Sequence, residues 1–240
     1  MRYLFLLFIF PNLLFAQIIN IENKRLAKSN GIHGAIDIDF DYNKSTKVDW
    51  DFSTNSYFQW DKNKYSLLLL NNVNFDRADG VDFANNSYQH MRFSYDINNI
   101  LTIETYLQNQ SDPVRSIENR RLAGAGIKSR LYYDTYFGIS AFYEKETLTN
   151  GLESTGYRLS NYWQLKFTIN PFVKCLVSTY IQPRITQFSD VRISNETVFS
   201  IKLSDRFFFT NKLILAYDTY PASNIPSLIY NLGNGIKYEF

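Results

Sequence analysis

The chain has 240 residues, a formal net charge of +2 and one cysteine, Cys175. Charge this evenly balanced makes no basic stripe, so no nucleic-acid partner is expected. A lone cysteine leaves the fold without an internal disulfide. No segment after the N-terminal region reaches about 18 consecutive apolar residues, so no transmembrane helix is expected there. Aromatics make up 17% of the chain, with 18 Tyr and 20 Phe, and this weight favours strands separated by polar turns.

Met1-Arg2-Tyr3 precedes an apolar run from Leu4 to Ala16. A positive start, an apolar stretch and a small residue are the parts of a secretory signal peptide. Cleavage is expected near Ala16. It leaves 17–240 as one domain, with 17–30 as a periplasmic N-terminal segment.

From Gly31 onward the apolar residues recur with a period of two. Ile36, Ile38, Phe40 and Tyr42 oppose Asp37, Asp39 and Asp41. Trp50, Phe52, Phe58 and Trp60 oppose Asp49, Asp51, Asn55 and Gln59. The same alternation follows in Leu101–Gln108, Ala123–Leu131, Arg158–Ile169, Val173–Gln182, Arg192–Leu203 and Leu228–Phe240. Successive strand side chains point to opposite faces, so each segment has one apolar and one polar side. The pattern predicts about twelve strands, most meeting the length a tilted strand needs to cross hydrocarbon. They begin near Gly31, Thr46, Asn63, Asn86, Ile100, Asn119, Thr135, Thr155, Phe172, Asp190, Asp205 and Ile225.

Connections alternate between tight and long. Tight ones lie at Asp61–Lys64, Asp96–Asn99, Asp134-Thr135, Ile169–Pro171 and Ser204–Arg206, rich in the Asp, Asn, Pro and Ser of hairpin turns. Polar stretches at Arg77–Asn86, Asn109–Asn119, Thr149–Gly156, Pro183–Asp190 and Asp218–Ser227 read as long loops. Outer-membrane barrels have short periplasmic turns and longer external loops. Aromatics cluster beside the tight turns, as at Phe58, Trp60, Tyr65, Phe93, Tyr95, Phe167 and Phe172, where an interfacial girdle belongs. Tyr238 and the terminal Phe240 have the form of a barrel-assembly signal.

These features together predict an all-β, transmembrane, up-and-down antiparallel β-barrel in the cell outer membrane of a Gram-negative envelope. Its expected partners are outer-membrane lipid, the barrel-assembly machinery and periplasmic chaperones. Arg or Lys facing lipid at mid-depth costs about 2–4 kcal/mol, so charges belong on the lumen side. The lumen-facing set is Asp37, Asp39, Asp51, His90, Arg92, Glu104, Lys128, Arg130, Glu144, Arg158, Lys166, Lys174, Arg192, Glu196, Lys202, Lys212 and Lys237. Both signs are present, which predicts cross-lumen ion pairs.

Catalytic signals are absent. His33 and His90 are the two histidines, and no HExxH, CxxC, GxSxG or phosphate loop occurs. Asp37, Asp39 and Asp41 form a DxDxD run, but on a strand it lacks the loop glycine of a Ca²⁺ site. No catalytic residue, metal ligand or cofactor is expected, and the chain does not read as an enzyme. One internal echo stands out: Ile21–Ala27 (IENKRLA) resembles Ile117–Ala123 (IENRRLA).

Several segments carry a family likeness. They are IENKRL after the signal, the GxxGxIDIDF strand at Gly31–Phe40, QHMRFSYDINN at Gln89–Asn99 and RRLAGAGIK at Arg120–Lys128. YIQPRITQFSDVRIS at Tyr180–Ser194 and YDTYPASNIP at Tyr217–Pro226 belong with them. Together they resemble the salt-induced outer-membrane protein-like family, domain of unknown function 481, in a Bacteroidota-like form. The resemblance implies an outer-membrane barrel and supplies no catalytic residues. The expected role is a narrow pore or structural envelope component. The alternatives are a surface-binding or adhesion barrel using its long loops, and a membrane hydrolase built around His90.

Overall fold

The computed structural model describes residues 21, 25, 29–44, 48–78, 81–82, 85–132 and 135–238. The segment 1–16, expected to be a signal peptide, and Phe240 lie outside the described residues, as do the side chains of Lys237 and Tyr238.

Between Gly31 and Tyr238 the described residues form mainly β-strands, with a 3-10 turn at Pro113–Arg115. Its strands are β1 (Gly31–Lys44), β2 (Val48–Lys62), β3 (Tyr65–Ala78), β4 (Val81–Asp82), β5 (Asn86–Asp96), β6 (Leu101–Asp112) and β7 (Ile117–Arg130). They continue as β8 (Tyr136–Leu148), β9 (Glu153–Asn170), β10 (Val173–Arg184), β11 (Gln187–Lys202), β12 (Phe207–Asp218) and β13 (Leu228–Tyr238). All belong to one sheet, ordered β1-β2-β3-β5-β6-β7-β8-β9-β10-β11-β12-β13, with β4 attached to β3. Every pairing is antiparallel and joins sequence neighbours on this path. The topology is therefore a meander of twelve main strands. Among the described residues β1 and β13 are its two free edges.

Burial is inverted relative to a water-soluble fold. Ile103, Ile127 and Ile139 are opposite one another across β6, β7 and β8, and all three are exposed. Glu104, Lys128 and Glu144, on the other face of these same strands, are buried. Charged side chains are almost never buried unless paired, so the polar face must pair them.

The sheet curls around that face. Arg192 on β11 reaches Glu146 on β8 at 2.9 Å, although three strand spacings of about 4.8 Å separate the two strands along a flat sheet. One cavity of about 970 Å³ has walls running from Gln59 on β2 to Ser200 on β11. At mid-height a smaller one brings His90 on β5 up to Tyr180 on β10.

Glycines let aromatic rings lie flat on the inner wall. A Cβ at Gly138 would fall 2.0 Å from Cε1 of Tyr162, its partner on β9, and one at Gly124 would fall 2.5 Å from Cζ of Tyr106 on β6. Gly138→Val is therefore expected to lose about 1–3 kcal/mol through overpacking. Urea unfolding, followed by tryptophan fluorescence, measures this. Gly156→Ala should be near neutral in the same assay, because its Cβ would meet Arg184 at an ordinary 3.5 Å.

The expected contrast between tight and long connections is much reduced. At the tight-turn end the connections span 63–64, 97–100, 131–135, 171–172 and 203–206. At the opposite end the polar stretches are largely strand. The β10–β11 pairing runs out to Arg184↔Gln187, leaving 185–186 as the turn where a loop from Pro183 to Asp190 is expected from sequence. Residues 149–152 and 113–116 are likewise short, while 219–227 stays long. The physical reason is that alternation continues through these stretches. Arg158, Arg184 and Asp190 keep facing inward and find partners there, so the backbone goes on pairing instead of looping.

A polar interior as candidate functional site

Toward the end opposite the tight turns the interior is a lattice of arginines and carboxylates. Glu144 is its hub, with a side chain 1% exposed. Arg120 donates to Glu144 Oε2 from Nη2 at 2.8 Å, Arg158 donates to Oε1 from Nε at 2.6 Å, and Arg192 Nη1 lies 3.3 Å from Oε2. Arg158 continues to Asp190 at 2.7 Å, and Arg184 meets the same carboxylate at 3.1 Å. Arg192 also bonds Glu146 and, at 2.9 Å, Asp218. These groups come from β7 through β12, so the lattice ties six strands together. Tyr220, Pro221, Ile225 and Pro226 of the 219–227 connection wall a 240 Å³ cavity over it.

The middle layer is aromatic and partly apolar. His90 stacks between Tyr88 and Tyr106, with centroids 6.1 and 5.9 Å away. Its Nε2 accepts from Arg92 Nε at 3.3 Å, and its Nδ1 is 3.3 Å from Gln108 Oε1. This pattern assigns a neutral ring donating from Nδ1. Arg92 also lies 4.9 Å over the Tyr106 ring.

Among the described residues of the N-terminal segment, Ile21 and Arg25 enter this layer. Ile21 is buried against Leu68, Leu70 and Tyr88. Arg25 donates to Glu104 Oε1 at 2.6 Å. Among the described residues Glu104 thus faces three cations: Arg25, Arg92 at 2.8 Å and Lys128 at 3.4 Å. Ser94 donates to it as well.

The remaining sequence candidates are distributed unevenly. Asp51, Glu196, Lys202 and Lys212 are half-buried. Lys212 lies 3.6 Å from Glu196. At the tight turn after β11, Lys202 donates to Asp205 at 2.7 Å and holds that carboxyl below the usual range. Arg130, Lys166 and Lys174 are exposed in the wide cavity at the tight-turn end. Asp37 and Asp39 share the polar register of β1 but are exposed, because β1 is an edge. Lys237 has only its backbone described.

Arg120, Glu146, Arg184, Asp190 and Asp218 are absent from the sequence candidates, yet they are integral to the lattice. Arg184, Asp190 and Asp218 fall in stretches that read as loops, whereas Arg120 and Glu146 lie within predicted strands, where the alternations Arg120-Leu122-Gly124 and Glu144-Glu146 are their signal. The echo does not place its copies alike: Ile21 packs inside the curl, while Ile117 begins β7 opposite Asp112.

The family model described as protein of unknown function, DUF481, matches residues 36–238. The chain belongs to this family. The DUF481 match covers all of the sheet except the first five residues of β1. No curated protein matches the chain. Membership of DUF481 carries no established activity, so function has to be argued from the site.

Proposed function

We propose that this DUF481 protein is an outer-membrane β-barrel, closed by β1 on β13, whose interior is sealed by ion pairs and by its N-terminal segment. The observation that carries this reading is the inversion of burial: carboxylates and guanidinium groups are inside, and Ile, Leu and Phe side chains are outside. In lipid every backbone polar group needs an internal partner, and closure supplies it for the two edges. The topology permits closure. An even number of main strands makes β1 and β13 antiparallel and brings the start of β1 and the end of β13 to the tight-turn side.

A structural envelope role fits this interior better than free diffusion. The Glu144 lattice and the contacts of Ile21 and of Arg25 obstruct the passage at two levels. A hydrolase reading has less support, because both ring nitrogens of His90 are already engaged. An adhesion reading is weakened by the short connections opposite the tight turns.

Two measurements test the proposal. Cell fractionation with a heat-modifiability gel should place the protein in outer membranes and give a heat-dependent mobility shift. A soluble periplasmic protein with no shift would overturn the class. In planar bilayers the wild type should show no steady conductance, and a variant lacking 17–28 should show frequent openings. A steadily conducting wild type would contradict the sealed interior.

A further inference from the structure

The two ends of the interior differ in charge. Opposite the tight turns, each arginine of the lattice faces carboxylates. At the tight-turn end, the cavity of about 970 Å³ is walled by Arg25, Lys64, Lys128, Arg130, Lys166 and Lys174, with Asp96 as its carboxylate among the described residues. Asp96 accepts from Thr102 at 2.7 Å. The acids just behind the wall are engaged too: Glu104 by its three cations, and Asp61 by Gln59 and Ser66.

Lys166 and Lys174 are the most telling. Lys166 pairs with Leu176 and Lys174 with Thr168, so the lysines are diagonal neighbours on the same face of β9 and β10. Both are exposed, and neither forms an ion pair among the described residues. Like charges so placed repel, and a concave, low-dielectric wall strengthens the field they make together. Several ammonium and guanidinium groups converging from different strands suit a ligand with many acceptor oxygens. Leu176 and Val198, opposite one another on β10 and β11, give the cavity an apolar part, and Leu68 lines it from β3.

We propose that this cavity binds a phosphate-bearing ligand entering from the tight-turn mouth, with Lys166 and Lys174 as its principal contacts. A sealed barrel requires no such ligand. The inference therefore goes beyond the proposed function and depends on it only for the compartment that the mouth faces. Two sources share this chemistry: a phosphorylated solute and a phospholipid headgroup.

The test uses full-length protein, without its signal peptide, folded in maltoside micelles and titrated with inorganic tripolyphosphate in a calorimeter. Saturable binding that weakens with added NaCl is expected. Lys166→Gln/Lys174→Gln should weaken it about tenfold. Lys145→Gln should leave it unchanged, since Lys145 is on the outer face and pairs with Glu153. Competition by phosphatidylglycerol but not phosphatidylcholine in mixed micelles supports the headgroup source, and binding insensitive to both supports the solute. Absence of saturable binding to wild type, or equal binding to the double variant, overturns the proposal. The heat-modifiability gel, run on every sample, reports folding and barrel character separately from binding.

Discussion

Glu144→Ala is expected to cost the folded protein about 3–5 kcal/mol, the range for removing one member of a buried ion cluster. Three guanidinium groups converge on Glu144 within 3.3 Å. Without it, Arg158 keeps Asp190, and Arg192 keeps Glu146 and Asp218. Arg120 keeps only the longer 3.5 Å contact with Glu146. The loss is therefore excess buried positive charge more than the loss of one attractive pair. Glu144→Leu combined with Arg158→Met should recover part of the deficit, because apolar replacement of a buried pair removes its desolvation cost. Urea midpoints of the single and double variants in micelles check this. Equal, additive losses would mean that the two side chains do not interact.

Ile127→Arg is the second large effect. Ile127 is 50% exposed on the apolar face, between Ile103 and Ile139 on the neighbouring strands. A solvent-exposed isoleucine tolerates such a change within about 0.5 kcal/mol. Facing hydrocarbon near mid-depth, the arginine should cost about 2–4 kcal/mol. Unfolding from lipid vesicles measures the difference, and a near-neutral result would place this face in water.

Much of the sheet is legible in the sequence. Predicted starts at Gly31, Asn86 and Phe172 compare with observed starts at Gly31, Asn86 and Val173. Two-residue alternation is a local property that pairing preserves, so it carries over well. The division of Trp50 and Phe52 from Asp51 and Gln59 survives for the same reason. Strand ends are less legible. Pro183–Asp190 looks like a loop by composition, yet Arg184 and Asp190 are charged because they meet partners in the interior. Leu68, Leu70 and Phe142 also escape the pattern, since they are apolar on the polar face. They face Ile21 and the aromatic layer, partners distant in sequence that no local period encodes. The site was legible as a set of charges, but not as a lattice, because which arginine meets which carboxylate depends on curvature.

Spin labels placed singly along β9 give the most direct test of which face meets lipid. Positions Asn161, Trp163 and Leu165 lie on the outer side, and Ser160, Tyr162 and Gln164 on the inner. In reconstituted vesicles the outer three should collide readily with oxygen dissolved in the bilayer. The inner three should be shielded from it, giving an accessibility that oscillates with period two. If the outer positions instead collide with a water-soluble nickel reagent and show no preference for oxygen, the sheet does not have its apolar side in a membrane.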